Sequence, residues 1–111
     1  MAGSRFVTAD LHVHTRLGPG ESTKGTKPTP AAVVAAARAA GVEVVGIADH
    51  NTAANVDEAV ALGGPDILVM PGVEVSTSDG HVVGLFDPAR TGELKSFAEA
   101  SNLKLKVVGA D

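Results

Sequence analysis

Cysteine is absent from this 111-residue chain, so it has no disulfide framework, no thiolate nucleophile and no thiolate metal ligand. Trp and Tyr are also absent, and Phe occurs only 3 times, which leaves no stacking platform for single-stranded nucleic acid. A strong excess of charge of either sign is missing too: 13 acidic against 9 basic residues give a net charge of −4. That balance carries no electrostatic footprint for DNA, RNA or an anionic membrane. No apolar run approaches the roughly 18 residues a membrane span needs, and Asp10 and His12 interrupt any secretory leader core. The chain therefore reads as cytoplasmic. What remains is a globular composition, 44% hydrophobic, in which Ala and Val supply 18 and 16 residues. Small side chains bury little area each, so modest stability is expected.

Apolar runs and turn signals alternate. Residues 6–14 alternate with period two and read as a strand. Residues 15–28 are a long polar loop by composition. Thr29 and Pro30 open an Ala-rich helix to Ala40, closed by Gly41. Residues 42–47 form a β-branched run like a strand buried on both faces. Thr52 caps a second helix through Leu62, and residues 67–75 are a third strand bent at Pro71-Gly72. Asp79-Gly80 signals a hairpin into a fourth strand over 81–86. Thr91 caps a third helix to about Ser101, and 103–108 is a fifth strand. About five strands, three helices and one β-hairpin in this order predict an α/β fold with a mostly parallel sheet.

The four histidines all fall at or beside predicted strand ends. His12 and His14 are two apart on one strand and share a face, as a bidentate metal site requires. His50 follows the second strand, and parallel strands present their C-terminal ends along one edge of the sheet. Glu74 lies between Val73 and Val75, where an unpaired carboxylate is costly. A metal ion is one explanation for it and a basic partner is the plainer one, though its own strand offers none. Either two-residue hairpin register, Glu74 opposite Leu85 or opposite Val83, puts His81 on the face of Glu74. His12, His14, His50, Glu74 and His81 are thus candidate ligands. Imidazoles with a carboxylate and no sulfur suit Zn, Mn or Fe, and five donors exceed one tetrahedral ion, so Glu74 is the natural bridge between two. Asp10, two residues before His12, and Asp49, beside His50, are candidates to orient the ligands from behind. Arg16, Lys24 and Lys27 are candidates to meet a phosphate, against the plainer reading of a solvated loop.

Asp10-Leu-His-Val-His-Thr15, Ala48-Asp-His-Asn-Thr52, Gly72-Val-Glu74 and His81-Val-Val-Gly-Leu85 fall in the order of the opening motifs of the PHP (polymerase and histidinol phosphatase) domain. The resemblance covers nearly the whole chain and includes all four histidines. It implies a distorted β/α barrel, here partial, and a metal-dependent phosphoesterase that hydrolyses phosphate mono- or diesters with a metal-activated water. It also implies two or three divalent ions in a complete site. His12, His14 and Glu74 would hold one, Glu74 would bridge to a second on His81, and His50 would bind a third. Glu21 is a weak further ligand by the same resemblance. Family members run to roughly twice this length and close their site with a later Asp-x-His that this sequence does not contain. Residues 1–111 are therefore expected to be one truncated PHP-like domain, with residues 1–4 a cloning remnant. By itself it is expected to be a poor phosphatase. The competing reading is a non-catalytic PHP-like metal-binding or regulatory module of a larger protein. A related metal hydrolase acting on C–N bonds is disfavoured, because no strand offers a Lys for a carbamylated bridge. The expected partners are a phosphorylated small molecule or nucleotide, with no membrane and no nucleic acid for this chain alone. Self-association through an open sheet edge is also expected. No general acid can be assigned from the sequence.

Overall fold

The computed structural model describes residues 6–15 and 28–107, the last seven as backbone. Four strands, β1 (Ala9–Val13), β2 (Val44–His50), β3 (Leu68–Thr77) and β4 (Gly80–Leu85), form one sheet in the order β1-β2-β3-β4. The first three are parallel and β4 returns antiparallel to β3. Helices α1 (Pro30–Ala39) and α2 (Val56–Ala61) are the crossovers between the parallel strands, and α3 (Thr91–Val107) follows β4. The described residues thus form a mixed α/β fold with four strands and three helices. No helix among the described residues is long and apolar enough to cross a membrane.

α1 forms where its caps predict. Thr29 Oγ1 accepts from the Ala32 N–H at 3.2 Å, Pro30 occupies the first turn, and Gly41 takes the left-handed φ of 78° just past the end. Val33 and Val34 of α1 pack with Val45 and Ile47 of β2, Ala59 of α2, and Ile67 and Val69. A second cluster joins Val56, Val73, Leu94 and Ala98. The sheet residues in both clusters are odd-numbered, so they share one face of β2 and β3. Glu74, His50, Gly72, Ala48 and Gly46 consequently occupy the opposite face.

Several boundaries differ from expectation. β2 runs on to His50, so Asp49 and His50 are strand residues. α2 starts only at Val56: Thr52 Oγ1 accepts from the Ala54 N–H in a local turn, spending its capping capacity there. Pro71 does not interrupt β3, because its missing N–H falls at the end of the β4 ladder while its carbonyl still accepts from Phe86 N–H at 2.8 Å. Thr91 is the first residue of α3. Asp87 caps instead, accepting from the Ala89 N–H at 2.7 Å in a 3-10 turn over Pro88–Arg90. The expected fifth strand is absent, since α3 continues through Val107. Leu and Lys are strong helix formers, and no Gly or Pro stands between Gly92 and Gly109 to stop the helix. The described structure therefore holds four strands where the sequence predicts five.

Candidate metal centre

β2 and β3 run in register so that His50 stands beside Glu74. The hairpin turns on Ser78-Asp79, with Gly80 at a φ of 126°, and pairs Glu74 with Val83 and Ser76 with His81. This is the second of the two expected registers, and it keeps His81 on the Glu74 face. β1 reaches the same place through an irregularity. Asp10 pairs with Val45 but Val13 pairs with Ile47, so β1 spends three residues where β2 spends two. Such a bulge re-aims the side chains beyond it. Val13 stays with the core, and His12 and His14 turn toward Glu74.

All five expected ligands meet. Glu74, 4% exposed, receives a hydrogen bond from His12 Nε2 at 2.8 Å on Oε1. His14 Nε2 lies 3.3 Å and His50 Nδ1 3.6 Å from the same oxygen, and His81 Nδ1 lies 3.3 Å from Oε2. The His14 and His50 rings stack at 4.5 Å, with His12 edge-on to one and His81 edge-on to the other. Two triads result, His12–His14–Glu74 and His50–Glu74–His81, each with donor atoms within 4.8 Å of one another. The hydrogen bond from His12 is the main influence holding the Glu74 carboxyl below the usual carboxylate range, against its burial. Burial, and then the neighbouring His50, push His14 below its ordinary value. The centre is therefore an anion ringed by imidazoles, with His14 held neutral.

This donor set fits a divalent cation. Metal–nitrogen bonds of about 2.0–2.1 Å at tetrahedral angles separate ligand atoms by roughly 3.3 Å, close to the three longer contacts here. Among the described residues the buried Nδ1 of His14 has no hydrogen-bond partner. Neutral imidazole and ionised carboxylate are the protonation states a metal requires.

Neither of the two acidic residues expected behind the ligands hydrogen-bonds a histidine ring among the described residues. Asp10 is displaced by the bulge: it pairs with Val45 on the core side and meets His12 only at the backbone N–H, at 3.4 Å. Asp49, 3% exposed, accepts from the Thr15 N–H and hydroxyl, both at 2.5 Å, and forms no hydrogen bond to a histidine ring. Its odd register places it on the core face, away from His50. Thr15 is fully buried and also accepts from Asn55 Nδ2 at 3.0 Å, so Asp49 anchors the chain immediately after His14. Arg16, Glu21, Lys24 and Lys27 lie outside the described residues. Sequence reasoning missed Thr15, Ser76 and Asn51. Ser76 Oγ lies 3.2 Å from His81 Nδ1. Asn51 is the one residue other than glycine at positive φ among those described, 54°. Its signal was an Asn directly after a strand, since Asn tolerates that conformation better than most residues.

No family model matches the chain. Over 88 residues it is 36% identical to an uncharacterized protein of Methanocaldococcus jannaschii, covering 72% of this chain and 50% of that protein. Over 96 residues it is 38% identical to a 5'-3' exoribonuclease of Haemophilus influenzae, covering 78% of this chain and 33% of that protein. The chain thus spans about half and about a third of the length of these two relatives.

Proposed function

We propose that the chain is a PHP-like domain, part of a distorted β/α barrel, whose site serves a metal-dependent phosphoesterase. The observation that carries this is the gathering of four imidazoles from β1, β2 and β4 around the single buried carboxylate of β3. Parallel strands with their helices packed on one face suit a barrel segment. The similarity to a protein named as an exoribonuclease favours phosphodiesters within the phosphoester class. In this reading His12, His14 and Glu74 hold one Zn, Mn or Fe ion, and His50, His81 and the same carboxylate hold another. A divalent ion bound there supplies Lewis acidity toward a phosphoryl oxygen and a water whose pKa is lowered, to about 7 for zinc. The protein's own part is electrostatic and positional. Burial keeps His14 neutral, Glu74 stays ionised, and Asp49 fixes the end of β1 through Thr15.

Elemental analysis of the purified chain, with hydrolysis of bis(4-nitrophenyl) phosphate and 4-nitrophenyl phosphate in added Mn2+, tests the proposal. Metal content that falls in His12→Ala and further in Glu74→Gln, with a weak turnover that drops to background in Glu74→Gln and in chelator, is the expected result. Equal metal content in all three proteins would overturn the metal reading. Turnover that ignores both chelator and Glu74→Gln would overturn the phosphoesterase.

A further inference from the structure

Asn51 stands where β2 leaves the sheet, one residue beyond His50, with a backbone that most side chains disfavour. Such a conformation persists when its surroundings over-determine it, and here they do. Its N–H donates to the Glu74 carbonyl at 2.8 Å, and its Oδ1 accepts from the Ser76 N–H at 3.0 Å. One residue therefore grips β3 both at Glu74 and two residues beyond it. The hydroxyl of Ser76 in turn lies 3.2 Å from His81 Nδ1. The three ligands of the second triad thus connect to Asn51: His50 by a peptide bond, Glu74 through its carbonyl, and His81 through Ser76, its partner in the β3–β4 ladder. Neither hydrogen bond links it to His12 or His14, which come from β1.

We propose that Asn51 is the positioning residue of the His50–Glu74–His81 triad, and that its loss weakens that triad's metal affinity more than that of the His12–His14–Glu74 triad, with which it shares only Glu74. The inference rests on the metal reading above and adds a division of labour to it. The left-handed backbone swings the chain out of β2 straight after His50, and the side-chain amide closes the resulting corner onto β3. Glycine adopts the same φ but lacks the acceptor. Aspartate keeps the acceptor and tolerates the φ.

The test compares binding isotherms of Zn2+ and of Mn2+ to the metal-stripped 111-residue wild type, Asn51→Gly, Asn51→Asp and His12→Ala, with thermal unfolding of each metal-free protein. Wild type is expected to bind two ions. In Asn51→Gly one site should weaken about 10–100-fold, as when a ligand loses its supporting shell, and the other by clearly less. His12→Ala should weaken the complementary site, and Asn51→Asp should restore two-ion binding. If Asn51→Gly binds both ions as wild type does, or weakens both sites equally as a general loss of structure would, the inference is overturned and the metal reading stands. A wild type that takes up no ion overturns the metal reading, and this inference with it.

Discussion

Glu74 concentrates the chemistry of the molecule in one side chain. Its removal leaves four imidazoles without their shared anion, so Glu74→Gln is expected to weaken metal uptake at both triads about tenfold or more, read by competition with a chromogenic chelator. His14 gives a pH signature. Its folded value lies below the ordinary 6.5, so as pH falls the unfolded chain takes up a proton before the folded one does. Its contribution to stability is therefore intact above about pH 6.5 and is lost as pH falls below it. The midpoint of thermal unfolding of the metal-free chain should drop between about pH 7.5 and 5, and less so in His14→Gln. An identical pH dependence in the two proteins would contradict this. The five candidate ligands were legible in the sequence because each is a costly residue at a strand end. Thr15, Asn51 and Ser76 were not, because an ordinary polar residue reveals its role only when the partner it holds is in place.

β1 shows why strand parity can mislead. Period two puts Asp10 and His12 on one face, but the bulge separates them and leaves Asp10 with the core. Gly46 is the counterpart of that bulge. A Cβ there would meet the Leu11 carbonyl oxygen at 2.8 Å, backbone that cannot step aside. Gly46→Ala is expected to destabilise the chain by about 1–3 kcal/mol and to weaken the β1 triad, checked by urea unfolding and metal content. Deleting Leu11 in the same variant should recover stability, because a regular β1 no longer lays its backbone across residue 46. If the double variant is worse than Gly46→Ala alone, the bulge is not the reason for the glycine. At the other end of the chain, Leu103 to Val107 alternate like a strand, yet five residues of alternation lose to a helix already under way with good formers ahead. α1 was legible in full, because its capping Thr, its first-turn Pro and its terminal Gly are all local signals.

At the scale of the whole fold, the sheet formed by the described residues ends in β1 on one side and β4 on the other. The expected edge at 103–108 does not exist in the described fold, so the argument for self-association moves to these two strands. Val82 of β4 is 59% exposed, and Leu11 of β1 is exposed as well. An apolar edge is a template for another strand. We expect concentration-dependent dimers by sedimentation velocity at micromolar loading, shifted toward monomer by Val82→Lys. A monomer in both proteins at every concentration would show the edges to be adequately guarded. The order of the first four strands and the single hairpin were legible, because helix-separated strands dictate parallel neighbours. The helix-borne end of the chain was not.

The five donors, Glu74 of β3 among them, come from β1 and the residue after it, β2, β3 and β4, and are more than 60 residues apart along the chain at their extremes. The unfolded polypeptide cannot present them together; His12 and His14 alone remain neighbours there. A cation that binds this cluster is therefore a ligand of the folded state, and its chemical potential becomes a variable of folding. At free metal about 100 times the dissociation constant, one such site adds up to about 2.7 kcal/mol, reduced by whatever the His12–His14 pair retains after unfolding. For a core built largely of alanine and valine, that is a large share of a small total. The ion would then act as a rivet across the sheet as much as a reagent, and metal scarcity would be felt first as lost folding and only then as lost chemistry.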